Sequence, residues 1–235
     1  MKRSSKLVPS VALMVLAFPW AWGCSQEDPP AESETPQTEG ESEADPSPAG
    51  EDEAPAQAAS GDVDLGDAVG TYEIDSGHST AVFRINRFGI ANFYGAFHDI
   101  TGTITLAEEP SESVVNIEID PASVFTASRD RDEHLKNPDF FNVNEHPVMR
   151  FSSSEVEVLG DNRFRVDGEL EIRGRTESTS AEVELIGAGE TPMDDFRAGF
   201  EATLTIDRHD FNVSFMEGAL SDEVELIIAV ETVRT

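Results

Sequence analysis

From residue 81 onward, apolar side chains recur at every second position. Ala81, Phe83 and Ile85 alternate with Arg84 and Asn86, and Ile100, Ile104 and Leu106 alternate with Thr101, Thr103 and Thr105. The same beat runs through Val115, Ile117 and Ile119, then Phe164, Val166, Leu170 and Ile172, then Val183 and Leu185. It continues through Phe200, Ala202, Leu204 and Ile206 and closes with Val224, Leu226, Ile228 and Val230. A period of two marks strands with one apolar and one wet face, the pattern of antiparallel strands around a single interior. Turn signals divide them: Glu108-Glu109-Pro110, Gly160-Asp161-Asn162 and Gly187-Ala188-Gly189. The pattern predicts an all-β domain of about eight or nine antiparallel strands, closed into a barrel because closure removes exposed edges. Residues Ser128 to Asn137 break the period. Their helix-forming charges, Ser128 as N-cap and Pro138 just beyond predict a short helix or ordered loop across one mouth.

A barrel of about eight strands either fills with its own side chains or holds one small ligand. Several phenylalanines lie outside the alternating strands. Phe88 and Phe93 flank Gly89 and Gly95 in a predicted turn, Phe140 and Phe141 follow the helical segment, and Phe211 and Phe215 belong to Asp210-Phe211-Asn212-Val213-Ser214-Phe215-Met216. Such residues cap a core or line a mouth. Periodicity leaves both readings open.

Composition changes the picture upstream. The chain has 235 residues and a formal net charge of -31, with 16 Lys+Arg against 47 Asp+Glu. That argues against a nucleic-acid partner, which needs clustered cations. Residues 25–70 carry 14 acids and no Lys or Arg, with Pro29, Pro30, Pro36, Pro46, Pro48 and Pro55 among Ser, Ala and Gly. Such a segment cannot bury enough apolar surface to offset its ordering entropy, and reads as a disordered tether. Residues 1–24 read as an export signal: Lys2, Arg3 and Lys6, then the short apolar run Val8 to Phe18. Ala21-Trp22-Gly23-Cys24 resembles a bacterial lipobox, although Leu is usual where Ala21 stands and Trp22 is bulky. Cys24 is the single cysteine, so no internal disulfide forms. The expectation is an exported protein, lipid-anchored through Cys24 in the cell envelope. Ordinary signal cleavage, or a leader retained as an anchor, are the alternatives. Residues 71–235 are the folded domain.

The sequence offers little catalytic chemistry. The five histidines, His78, His98, His134, His146 and His209, show no tight metal-ligand spacing. His98-Asp99 and Arg208-His209-Asp210 each place a histidine beside a carboxylate. His78 and Ser79 are expected to order the start of the first long strand. No Gly-x-Ser-x-Gly elbow occurs. Arg131, Asp132, Asp207, Arg208 and Asp210 are expected to form rim ion pairs, worth little where exposed. The expectation is no enzyme, no metal and no cofactor.

Four signatures in order carry a resemblance. The first is Asp75-x-x-His78-Ser79-x-x-x-Phe83, followed by Gly89 and Gly95-x-Phe97. The second is Arg131-Asp132-x-His134-Leu135, followed by Asp139-Phe140-Phe141, Pro147 and Phe151. The third is Gly168-x-Leu170-x-Ile172-x-Gly174-x-Thr176, and the fourth Gly199-Phe200 with Asp207-Arg208-x-Asp210-Phe211. On these motifs, residues 71–235 resemble the YceI family of exported proteins. The resemblance implies a lipocalin-like antiparallel barrel that holds a polyisoprenoid or related long amphiphile in an elongated apolar pocket. The expected function is therefore binding of a long isoprenoid or acyl lipid, for transport, storage or sensing. The lining residues this reading names are Phe83, Ile85, Phe88, Phe97, Leu135, Phe140, Phe141, Phe151, Leu170, Phe200, Leu204 and Phe211. Arg87, Arg131 and Arg208 are head-group candidates. The chain departs from the family where Arg87 replaces a usual His, Ala91 a frequent Ser and Asn212 a frequent Gly, which points to a different head-group preference. A dry interaction barrel on a membrane stalk, or a lipid-modifying enzyme with a histidine facing the lumen beside a carboxylate, are the rival readings.

Overall fold

The computed structural model describes residues 65–160 and 162–235. The leader, Cys24 and nearly all of the acidic segment lie outside the described residues. Eleven strands follow in order: β1 (Gly70–Ile74), β2 (Thr80–Arg87), β3 (Ala91–Phe97), β4 (Ile100–Leu106), β5 (Val114–Ile119), β6 (Val124–Phe125), β7 (Met149–Gly160), β8 (Arg163–Ile172), β9 (Arg175–Glu190), β10 (Phe196–Asp207) and β11 (Leu220–Arg234). One short helix, α1 (Arg129–Leu135), stands between β6 and β7. All pairings between these strands are antiparallel. They form one sheet whose order β1-β4-β5-β7-β8-β9-β10-β11 returns to β1, a closed eight-stranded barrel.

The remaining strands continue that ring past a break. β11 pairs with β2 through residues 220–229 and with β1 through residues 232–234. β1 pairs with β4 and β2 with β3 in nearly the same register. The two hairpins are therefore one long hairpin, bent where Ser76–His78 and His98-Asp99 interrupt it. β5 and β6 are likewise one line broken at Pro121–Ser123. Backbone groups freed at such bends must find partners, and serines supply them. Ser79 Oγ donates to Asp75 O (2.8 Å) and accepts from Glu231 N (3.1 Å), while Ser123 Oγ accepts from His98 N and Asp99 N (both 3.1 Å).

Charge fastens the same bend. Arg197 Nη1 donates to Asp75 (2.8 Å) and to Glu231, and Arg197 Nε to Asp195 (3.0 Å). His78 Nδ1 lies 2.9 Å from the same Asp75 oxygen. Arg197, and after it His78, hold the Asp75 carboxyl at about 2. Asp75 in turn raises His78.

Three local expectations change. Gly187-Ala188-Gly189 is no turn: it lies inside β9, beyond a bulge that shifts the β9–β10 register between Gly199 and Phe200. A side chain at Gly187 or Gly189 would meet nothing within 4 Å, so the glycines are accommodated in the strand rather than required for a reversal. The turn comes later and closes with Thr191 N to Asp195 O (2.8 Å). Phe93 and Gly95 belong to β3, and only Phe88-Gly89-Ile90 turns. The helix is shorter than Ser128 to Asn137, and Ser128 makes no side-chain cap. The Asp132 carboxylate accepts instead from Thr126 N (2.8 Å) and Thr126 Oγ1 (2.5 Å).

Replacing Asp75 by Asn should lower Tm by roughly 2–6 °C near neutral pH, taking about 1–1.5 kcal/mol for the lost charge-assisted contacts. The Asp75 contribution is complete above its ordinary value of 3.8 and disappears as pH falls through about 2. The part shared with His78 fades at the other end, as pH rises past the raised value of that imidazole. Thermal melts of both proteins across pH 2–8 should therefore diverge most near pH 4–6 and converge at pH 2.

Candidate functional site

The inner face of the barrel does not fill its interior. A cavity of about 720 Å³ runs through it, inside the ordinary size range of ligand sites. The walls are the even-numbered positions of β8, β10 and β11 and the odd-numbered ones of β2 and β5: Phe164, Val166, Leu170, Phe200, Leu204, Leu226, Ile228, Phe83, Ile85, Ile117 and others. Ala81, Ala181 and Ala202 stand among them. Small residues at inward positions leave volume that Leu or Phe would occupy.

Glycine shapes the wall too. A Cβ at Gly95 would lie 2.2 Å from Phe83 Cζ, and one at Gly168 would lie 2.4 Å from Ser152 O and 2.6 Å from Phe151 Cζ. The bare backbone lets each ring lie back against the wall instead of standing in the lumen.

One mouth is built by α1, the segment after it, the β2–β3 tip and the β10–β11 connection. Leu135 and Phe140 are buried there, and Phe141 packs edge-on against Phe97 with ring centroids 5.3 Å apart. Phe141 N donates to Leu135 O and Val143 N to Lys136 O (3.0 Å each), folding the segment back over the opening. His134, Phe140 and Phe215 form an aromatic triangle with every pair of centroids 5.2 Å apart.

Eleven of the twelve residues named from the resemblance border the cavity: Phe83, Ile85, Phe97, Leu135, Phe140, Phe141, Phe151, Leu170, Phe200, Leu204 and Phe211. Phe88 does not. It sits at the hairpin tip with φ 57°, 52% exposed, its ring 4.3 Å beneath the Arg87 guanidinium. The turn geometry carries its side chain out of the wall. Further wall residues, Phe93, Ile104, Leu106, Val115, Ile119, Met149, Val156 and Met216, were not named. All but Phe93, Met149, Val156 and Met216 belong to the inward alternation already visible in the sequence.

The three arginines have different surroundings. Arg208 is 4% exposed, and its guanidinium donates to the carbonyls of Ser221 (2.9 Å), Val213 (2.6 Å), Phe215 (3.0 Å) and Leu220 (3.5 Å). Its donors staple the β10–β11 connection, and its side chain also borders the cavity. Arg131 borders the cavity, stacks 4.1 Å over Phe93 and donates to Thr126 Oγ1 (2.8 Å) and Thr126 O (2.6 Å). Arg87 borders the cavity and makes no ion pair among the described residues. The expected rim ion pairs do not form as drawn: Asp132 serves Thr126, Asp207 accepts from His209 N (2.8 Å), and Arg208 reaches only Asp222, at 3.8 Å.

Of the histidines, His134 borders the cavity and lies 2.8 Å from Asp139. His209 pairs with Asp222 (2.9 Å) and His78 with Asp75, both away from the cavity wall. Among the described residues, one cluster has metal-ligand spacing: Asp75, His78 and Glu231, with candidate ligand atoms within 4.8 Å of one another. Arg197 already donates to both carboxylates of that cluster, so a cation sits where a metal would.

Comparison with known proteins locates the domain. Residues 72–232 match the family model described as YceI-like domain. The UPF0312 protein of Pectobacterium atrosepticum is 40% identical over 164 residues, spanning 69% of this chain and 85% of that protein. The Campylobacter jejuni YceI protein superposes with a TM-score of 0.57 at 29% identity, covering 62% of this chain and 87% of that one. A polyisoprenoid binding domain from Saccharophagus degradans superposes with a TM-score of 0.53 at 16% identity, covering 70% and 98%.

Arg208→Lys tests the staple. One ammonium cannot span four carbonyls arranged for a guanidinium fork. The orphaned acceptors should cost about 3 kcal/mol, lowering Tm by roughly 6–12 °C in thermal melts.

Proposed function

Because the chain belongs to the YceI-like domain family, we propose that its barrel holds one long apolar lipid, isoprenoid or acyl, and carries, stores or senses it. The observation behind this reading is the 720 Å³ cavity with its wall of Phe, Leu, Ile and Val. Each CH₂ taken from water contributes about 0.8 kcal/mol, so a chain of many methylenes binds tightly without polar contacts. The choice of isoprenoid among long lipids takes its lead from the name of the Saccharophagus degradans domain. Arg87 and Arg131, which border the cavity beside the helix, are the candidates for the polar end of such a lipid.

The proposal extends to location. The signal-like leader and the position of Cys24 support export and lipid anchoring in the bacterial envelope, with the acidic Pro-rich segment as the tether.

A second reading, a lipid-modifying enzyme, has one observation behind it: His134 meets the cavity beside Asp139. It requires chemical change in an added lipid, lost in His134→Gln. Unaltered lipid after long incubation with wild-type protein leaves the carrier.

Native mass spectrometry of the purified chain, with organic extraction, should recover one lipid per barrel. Ala181→Phe places a ring in the lumen. Excluding about three methylenes costs about 2.4 kcal/mol, so retention of added isoprenoid should weaken roughly fiftyfold. Wild-type protein that is empty and takes up no isoprenoid or fatty acid removes the reading.

A further inference from the structure

Phe88 is in a conformation its own chemistry resists. Phe88 and Gly89 both have left-handed backbones, φ 57° and 66°, and Ile90 N donates to Arg87 O across them at 3.1 Å. Two central residues with positive φ are the mark of a type I′ hairpin turn, whose preferred pair is Asn-Gly. A bulky aromatic in the first place is an outlier that the rest of the structure must hold. The ring packs only beneath the Arg87 guanidinium, 4.3 Å away, and is otherwise turned outward: Phe88 is 52% exposed, and Ile90 beside it is 84% exposed. The tip is nonetheless braced, because Phe88 N donates to Ala219 O (2.8 Å). That ties it to the connection bearing Phe215, 38% exposed, and Met216, which borders the cavity. Arg87, one residue before the tip, borders the same opening.

Arginines crowd this end: Arg87, Arg129, Arg131, Lys136, Arg173 and Arg175 belong to its connections or adjoin them, interleaved with Asp130, Asp132, Glu133, Asp139, Glu145, Asp207, Asp210 and Glu217. The opposite end has Glu108, Glu109, Glu112, Glu190, Asp194 and Asp195 with Arg163, Arg197 and Arg234. Its exposed apolar tip, Met193, stands next to Asp194. A strongly acidic surface is repelled by anionic leaflets, and Arg or Lys near the surface offsets that repulsion. Among the described residues, a projecting apolar pair, several arginines and side chains that border the apolar cavity come together at the helix mouth.

We propose that the Phe88-Gly89-Ile90 tip enters the boundary between headgroups and acyl chains of a lipid bilayer and seats the open mouth there for cargo exchange. The inference rests on the lipid-cargo reading above: a long apolar lipid has almost no free concentration in water, so its route into the lumen starts at a membrane. Exposed aromatic and aliphatic side chains flanked by Arg are the composition of an interfacial contact.

The test uses the full chain in a Cys24→Ser background, so that no attached acyl group contributes, with vesicles of phosphatidylethanolamine and phosphatidylglycerol. Cosedimentation of the Phe88→Asn/Ile90→Asn double variant should fall at least tenfold, and that of Met193→Asn should not change. Phe88→Asn alone should raise the thermal midpoint, because it installs the Asn-Gly pair the turn prefers. Lipid recovered by extraction should be the same for all variants, since neither Phe88 nor Ile90 borders the cavity. Equal cosedimentation of wild type and double variant overturns the proposal. So does an equal loss in Met193→Asn, or a lowered midpoint in Phe88→Asn. Tip-dependent vesicle binding by a protein that never holds lipid would leave the docking surface standing and sink the cargo reading instead.

Discussion

Three residue pairs, Tyr72 with Arg234, Glu73 with Val233 and Ile74 with Thr232, turn a sheet into a barrel. Without them β1 and the end of β11 would be open edges, each a template for another strand. The seam is sealed as tightly as any place in the molecule. Tyr72 and Thr232 have no exposed surface, Tyr72 Oη donates to Ala68 O (2.6 Å), and Thr232 Oγ1 donates to Ala198 O (2.8 Å). Arg234 lies 3.6 Å over the Phe196 ring and 5.4 Å from that of Tyr72. Closure also decides the interior. Once eight strands surround a common axis, the lumen diameter follows from strand number and stagger. The sequence can then choose only how much of that lumen its side chains fill.

It fills less than all of it. The inward alternation mixes Phe, Leu and Ile with Ala81, Ala181, Ala202, Gly95 and Gly168. A void of this kind forfeits contacts that a packed core would make. The fold compensates outside the lumen, in the braced bend and in the loop staple. Arg197 gathers Asp75, Asp195 and Glu231 where the long hairpin bends, and Arg208 gathers four carbonyls where β10 passes to β11. Both work at positions where regular backbone pairing stops, which is where an interior short of contacts most needs support.

What could be read from the chain follows the same division. Inward and outward faces were legible because a strand repeats every two residues, so Phe83, Leu170 and Leu204 point inward wherever the ring closes. The loop residues Phe140, Phe141 and Phe211 were placed by motif resemblance rather than by period. The errors fall where local composition has two structural solutions. Gly187-Ala188-Gly189 has the residues of a turn, but pairing with β10 carries the strand through it. Phe88 sits beside inward Arg87 and near inward Ile85, and only the left-handed turn sends it out. Arg208 looks like a free rim cation until the path of residues 213–221 brings four carbonyls to it. The Asp75–Arg197–Glu231 cluster joins residues more than a hundred positions apart, and no spacing rule reaches that far. The vacancy of the lumen is a sum of volumes over many strands, which no single segment displays.

The acidic exterior gains a meaning from this arrangement. A protein with a greasy lumen invites association through its mouth, with itself or with any apolar surface. A formal charge of -31 opposes such contact in most orientations. Self-repulsion between copies acts at every approach. An Asn-Gly pair would suit the left-handed turn better than Phe88-Gly89, and Phe88 and Ile90 both stand exposed at its tip.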